Sequence, residues 1–481
     1  MFLTKTKKMG LLIGLSVLLM PLFLPAPAGM PVPAWHTAGV ALLLAIWWAT
    51  EVLPIPVTSL LPVLLFPALG IMTMEQSTFS YAEPTIFLLL GGFIIATGLA
   101  RWNLHRRLAL NILVRVGNSP VALIAGFMGT TAFISMWISN TASTIMMIPI
   151  AMSLVSEMVK NEIKEYQGFL LCLVLGIAYS ASIGGLGTII GTPPNLFVVS
   201  FVKQTYDMEV SFVDWMLLGV PVVIVMTSLT WWVLTKWACP FDLRGTQISK
   251  VFILDELAKM GKLTQPEKRI SLVFLLVIIA WIVRVPLQQN FGVLLWLTDA
   301  MVAIGGAVLM FIIPSGDDVE KGTALLDWDT ANKIPWGVLL LFGGGLSLAA
   351  AIKETNLGTW IGASLSGLPH MDLIVLLIGL VTLVVFLTEL TSNTATTATL
   401  LPILAALAVT TGIEPMVLFV PAALAASCAF MLPVATAPNA VVYATGAVTI
   451  SQMANAGFKL NLMAIVIVTV MSYTLVPVIF G

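Results

Sequence analysis

The sequence predicts an all-α polytopic membrane protein, with about eleven transmembrane helices and two re-entrant hairpins arranged as two inverted repeats. Three observations predict it. Hydrophobic residues make up 59% of the 481-residue chain, charged residues only 9%, and mean hydropathy is +1.03, whereas a soluble domain carries about 25% charged residues. So few charges cannot surround a core, and lipid must be the solvent over much of the surface. Lys and Arg alternate between rich and poor segments, as loops on the two sides of a membrane do. Finally, a polar motif inside one apolar stretch returns inside another, half a chain later.

Taken in order, the first segment carries Lys5, Lys7 and Lys8, then an apolar run, then Ala26-Pro27-Ala28. That is the plan of a signal peptide, but the following spans need this helix to keep their topology, so it reads as a crossing near 9–25. Further apolar runs place crossings near 36–53, 55–72, 84–100, 167–200, 214–236, 270–287, 298–314, 334–352, 416–446 and 457–480. Two more stretches, about 121–156 and 372–410, are interrupted by Ser-Asn-Thr, and each reads as a hairpin that enters and leaves on one side. The first half then spans 1–238 and the second 269–481, joined by a linker at 239–268 that is too short for a domain. With the N-terminus in the cytoplasm and the C-terminus outside, only Lys203, Arg284 and Lys353 of the 22 Lys and Arg residues fall on the outer side. Reading either hairpin as a single crossing would invert every later loop.

The repeat is explicit. Ser139-Asn140-Thr141-Ala142-Ser143-Thr144 recurs 253 residues later as Ser392-Asn393-Thr394-Ala395-Thr396-Thr397. At the same offset Gly91-Gly92 falls on Gly344-Gly345, and Asn103-Leu104 on Asn356-Leu357. Downstream, Gly191-Thr192-Pro193-Pro194-Asn195 is echoed by Ala435-Thr436-Ala437-Pro438-Asn439. One hairpin enters from each side, so the repeats are inverted, an architecture suited to alternating access around a midplane site.

These residue types carry chemistry. Ser, Asn and Thr favour caps and turns, so a helix ends and another begins at each motif. Pro193, Pro194, Pro433 and Pro438 remove amide donors and force the chain out of helix. Unwound backbone at membrane depth needs protein or a water-filled cavity. Free amides at helix starts favour anions. Hydroxyls, the Asn carbonyl and free backbone carbonyls suit a small cation such as Na⁺, while the lack of carboxylates argues against a Ca²⁺ or Mg²⁺ cage. No Lys or Arg lies near the four motifs in the sequence, so opposing charge for an anion is expected from bound cations and helix N-termini. Glu51 is expected at a span end, Glu389 beside the second hairpin tip and Asp299 near the membrane, where ionisable groups invite functional readings. Trp47-Trp48 reads as an interfacial anchor, and Gly187 with Gly191 as a close-packing face.

Other classes are disfavoured. A net charge of −1 argues against nucleic-acid binding, which needs a basic face. Cys172, Cys239 and Cys428 form no metal or disulfide spacing, and His36, His105 and His370 lie far apart. No HExxH, GxSxG or Walker-type loop is present, so the chain is not expected to be an enzyme.

Paired Ser-Asn-Thr motifs, each followed by a Pro-Asn break, resemble the divalent anion:sodium symporter family, as do Trp47-Trp48-Ala49-Thr50-Glu51 and Trp102-Asn103-Leu104-His105-Arg106-Arg107. The resemblance covers nearly the whole chain. It implies sodium-coupled symport of small di- or tricarboxylates such as succinate, malate or fumarate, by a homodimer in the plasma membrane of a bacterium. Each protomer would hold a scaffold domain and a transport domain moving as an elevator. It implies one sodium ion at Ser135, Ser139 and Asn140 with backbone near Gly191, and another at Thr388, Ser392 and Asn393 with backbone near Ala435. Substrate carboxylates would meet Ser139, Asn140, Thr141, Thr192, Pro193, Asn393, Thr394 and Thr436. Ala437 departs from the Pro expected there. Sodium-independent exchange and sulfate transport are the alternatives within the same fold.

Overall fold

In the computed structural model of the chain, residues 5–158, 163–239, 241, 251–317, 322–365 and 372–481 are described. Among them the elements are helical, apart from one isolated bridge between Pro314 and Ala324. Part of the predicted linker, Pro240 and residues 242–250, lies outside the described residues, as does His370.

The chain opens with a hairpin of α1 (Lys5–Phe23) and α2 (Val32–Thr50). Gly10 and Gly14 let these two helices touch: a Cβ at Gly14 would lie 2.3 Å from Trp47 Nε1. Three short pieces follow, α3 (Ile55–Thr58), α4 (Leu61–Ala68) and α5 (Met74–Phe79), and then α6 (Pro84–Arg101) and α7 (Leu104–Arg115). The first motif sits between α8 (Pro120–Ser135) and α9 (Asn140–Met158). α10 (Ile163–Gly184) ends in a 3₁₀ turn and an unwound run before α11 (Pro193–Tyr206). α12 (Phe212–Val233) closes the first half with a π turn, and α13 (Val251–Lys259) leads to α14 (Gln265–Phe291), α15 (Asp299–Ile312), the single turn α16 (Trp328–Ala331), α17 (Trp336–Glu354) and α18 (Leu357–Leu365). The second motif sits between α19 (Leu373–Thr388) and α20 (Asn393–Thr411). α21 (Pro415–Ala426), a second unwound run, α22 (Ala437–Ala444) and α23 (Ile450–Phe480) complete the chain.

Nine helices among the described residues are long and apolar enough to cross a membrane, against the eleven expected. The stretch at 55–72 is cut at Ser59-Leu60, where Pro54, Pro56, Pro62 and Pro67 punctuate the run. α15 has 14 residues, about 21 Å of helix against a hydrocarbon core of about 30 Å. The spans expected at 167–200 and 416–446 are each two helices, separated by the breaks expected at Pro193-Pro194 and at Pro433 and Pro438. α20, expected as half a hairpin, is itself long and apolar enough to cross.

Burial divides the helices. The apolar window of α10 is 89% buried, whereas those of α1 and α14 are 17% and 22% buried and present apolar side chains outward. α10 is therefore the centre of the bundle, packed on α8, α9 and α12.

The halves are crossed. α22, from the second half, packs on α9 and α10 of the first, while α11 packs on α17, α20 and α21 of the second. Each helix that follows a break thus lies against the other half's hairpin, which brings both hairpin tips and both breaks to one place.

Candidate functional site

That place is a cavity of about 940 Å³. Ser139, Asn140, Thr141, Thr192, Pro193, Asn393, Thr394 and Thr436, all eight residues singled out as substrate contacts, line it. Gly191, Ser392 and Ala435 line it as well, while Ser135 and Thr388 are fully buried behind the wall. The cavity also receives the starts of four helices: Asn140 of α9, Pro193 of α11, Asn393 of α20 and Ala437 of α22. Each helix start carries about half a positive elementary charge, roughly two in all. The first-turn amides of α9 and α20 have no acceptor within their helices, whereas α11 opens on Pro193-Pro194 and α22 carries Pro438, which have no amide proton, and the Asn195 and Asn439 amides donate to the Thr192 carbonyl and to Thr436 Oγ1.

Behind the lining, two oxygen clusters are built alike. Ser135 Oγ lies 2.7 Å from both Asn140 Oδ1 and the Ala181 carbonyl oxygen. Thr388 Oγ1 lies 2.7 Å from both Asn393 Oδ1 and the Ala426 carbonyl oxygen. A hydroxyl has one proton to donate. Two carbonyl-type oxygens at contact distance from one hydroxyl therefore leave lone pairs converging, which a small cation relieves. In the first cluster a Cβ on Gly185 would stand 2.7 Å from Asn140 Oδ1 and 3.1 Å from the Gly191 carbonyl oxygen, so those two oxygens share one small volume. Among the described residues, no cluster of three or more His, Cys, Asp or Glu side chains is placed to hold a metal ion.

The breaks are fixed by matching Asn residues. Asn195 Nδ2 donates to the carbonyls of Gly185 (2.9 Å) and Thr188 (2.8 Å). Asn439 Nδ2 donates to those of Ala429 (3.1 Å) and Leu432 (3.0 Å). Each Asn replaces the amides that helix would have supplied, so the unwound carbonyls stay satisfied inside the bundle. Gly185→Val should push a methyl group into Asn140 and the Gly191 carbonyl, an overpacking of about 1–3 kcal/mol. We expect uptake by this variant to fall at least tenfold with expression unchanged, and a wild-type rate would refute the geometry.

Several expectations need correction. Lys7, not signalled by any motif, lines the cavity, so a cationic side chain is present after all. Trp47 and Trp48 are not an interfacial anchor: they are 7% and 1% exposed, and Trp48 lines the cavity with its Nε1 donating to Ser59 Oγ at 3.1 Å. Gly187 and Gly191 fall in the break rather than on one helix face, but both are closely packed there, with Gly187 against Met136 and Gly191 against the Gly185 carbonyl. Glu51 does stand at a span end, capping α2 in a left-handed conformation (φ 47°), and it also lines the cavity. Asp299 serves structure, pairing with Arg284 at 2.8 Å and accepting from the Phe212 amide at 3.0 Å.

A family model described as the sodium:sulfate symporter transmembrane region matches residues 5–480. The sodium-dependent dicarboxylate transporter SdcS of Staphylococcus aureus (strain USA300) is 40% identical over 496 residues, covering 100% of this chain and 95% of that protein. SdcS of strain NCTC 8325 / PS 47 matches equally, at 40% identity. Among solved structures, the MtrF antimetabolite efflux pump of Neisseria gonorrhoeae superposes with a TM-score of 0.60 at 14% identity, covering 98% of this chain and 95% of that one. The YdaH transporter of Alcanivorax borkumensis gives 0.55 at 15% identity, covering 92% and 98%. At such identities these two are similar in fold alone.

Proposed function

The chain belongs to the sodium:sulfate symporter family, and on that premise we propose that it is a sodium-coupled symporter of small dicarboxylates such as succinate, malate or fumarate. One observation carries the reading: two hairpin tips and two breaks meet at one cavity, backed by two matching clusters of neutral oxygens. Those clusters suit Na⁺ at Ser135, Ser139, Asn140 and Gly191, and at Thr388, Ser392, Asn393 and Ala435. The four helix starts and two cations together offset a dianion seated between Asn140, Thr141, Thr192, Asn393, Thr394 and Thr436. Emptying one cluster removes a cation that the dianion needs, so ion and substrate bind cooperatively.

The two halves, 1–238 and 269–481, act as inverted repeats joined through 239–268, in a homodimer of the plasma membrane. Helix bounds support the repeat: α8 and α9 lie 253 residues before α19 and α20 at both ends. The charge bias supports an N-terminus in the cytoplasm and a C-terminus outside. On that orientation the cavity, which Lys7 and Glu51 help to line, opens inward, and an elevator movement of the hairpins against α1 and α2 exposes the site outward. The match to a dicarboxylate transporter over the full chain favours dicarboxylate over sulfate.

Uptake of labelled succinate into proteoliposomes tests this, with an inward sodium gradient set against choline. Accumulation above equilibrium only with sodium is the expected result. Uptake indifferent to sodium but stimulated by internal succinate would make the protein an exchanger, and uptake of sulfate alone would move the substrate.

A further inference from the structure

The two oxygen clusters match, but what stands behind them does not. Glu389 follows Thr388 directly and is 4% exposed. Its Oε1 accepts from the amides of Phe430 (2.7 Å) and Met431 (2.9 Å) and from Asn461 Nδ2 (2.8 Å). Its Oε2 accepts from the Leu432 amide at 3.1 Å. All four partners donate, an arrangement that matches the acceptor sites of a carboxylate. α23 is brought up to this knot by Gly457, where a Cβ would stand 2.2 Å from the Phe430 carbonyl oxygen. Asn461 is one turn further along the same helix.

In the first half, the residue at the offset of 253 is Met136, and the residue matching Leu432 at the offset of 244 is Thr188. There the contact runs the other way: Thr188 Oγ1 donates to the Met136 carbonyl at 2.5 Å. The first break is therefore pinned by a neutral bond and the second by a full negative charge. The four donors to Glu389 are neutral and leave that charge uncompensated within reach of the second cluster. Attraction falls only as the inverse of distance, and burial weakens screening.

We propose that Glu389 is a positioning residue that makes the two cation sites unequal, so that the Thr388–Asn393 site binds sodium more tightly and fills first. It acts in two ways. It fixes the 430–432 backbone that follows the Ala426 carbonyl, and it lends the site negative charge. The inference rests on the sodium-coupled reading above.

Sodium titrations of succinate uptake test it in wild type, Glu389→Gln and Glu389→Asp. We expect Glu389→Gln to raise half-saturating sodium roughly tenfold, with succinate half-saturation at excess sodium changed less than about twofold. Glu389→Asp should recover part of the sodium affinity. A lower maximal rate with unchanged half-saturating sodium would assign Glu389 to structure alone and overturn the proposal. Should Glu389→Gln fail to fold, binding of radioactive sodium to Ser135→Ala and Thr388→Val decides. Thr388→Val should lose the tight component and Ser135→Ala keep it; the reverse overturns the ordering. Wild-type uptake that ignores sodium would instead remove the underlying reading, a result separable from any effect of Glu389.

Discussion

Asn140→Ala and Asn393→Ala should each cut sodium-driven uptake on the order of a hundredfold, while thermal unfolding in detergent stays near wild type. Both side chains stand where a helix starts, an oxygen cluster and the cavity lining coincide. Removing Asn140 Oδ1 takes one oxygen from the first cluster and enlarges the cavity, so the proposed first cation and the anion it would offset should be lost together. Stability suffers little because Ser135 still donates to the Ala181 carbonyl at 2.7 Å, and Thr388 to that of Ala426 at 2.7 Å. No buried donor is orphaned by either change. Wild-type uptake in both variants would refute the site.

Arg107→Ala should instead destabilise the protein by about 3–5 kcal/mol, read as a loss of thermal stability in detergent before any effect on sodium affinity. Arg107 and Glu267 have side chains 10% and 3% exposed and meet at 2.6 Å. The guanidinium also donates to the carbonyls of Gly261 (2.9 Å) and Met260 (2.9 Å), tying α7 to the turn before α14. Its loss leaves a buried carboxylate and several carbonyls short of donors. Arg106→Ala is the control. Its partnership with Glu256 at 2.5 Å involves an arginine side chain 40% exposed, so the same truncation should cost under about 1 kcal/mol. Lys259 and then Arg106 hold the Glu256 carboxyl below its ordinary range, so the control pair stays ionised at neutral pH. Equal losses in the two variants would refute the distinction.

The polar motifs were legible because their residues have sharp local preferences. Ser, Asn and Pro dictate a helix end wherever they occur together, and α9, α11, α20 and α22 begin within a residue or two of where those preferences put them. Asn195 and Asn439 were legible only as parts of a break; that each would donate to two carbonyls depends on how the run folds back. Lys7 and Trp48 carried no signal for a place in the cavity, because they reach it through tertiary packing of the α1–α2 hairpin. Glu389 was visible beside the motif, but its donors come from 41 to 72 residues away. The short helices at 55–68 and 299–312 escaped a hydropathy window, which averages over the prolines and turns that cut them.

The crossed packing of the halves also bears on biosynthesis. α11 leaves the ribosome about 200 residues ahead of α20, an interval of roughly 10–40 s at ordinary elongation rates. For that time the first break sits in the bilayer without the helices that will cover α11. Its two-carbonyl clasp by Asn195 is local, however, and is complete once residue 195 has been made. The nascent first half thus carries its own protection against exposing bare carbonyls to lipid. The second break waits longest on a distant partner, because Asn461 on the last helix reaches Glu389 only when synthesis is nearly finished.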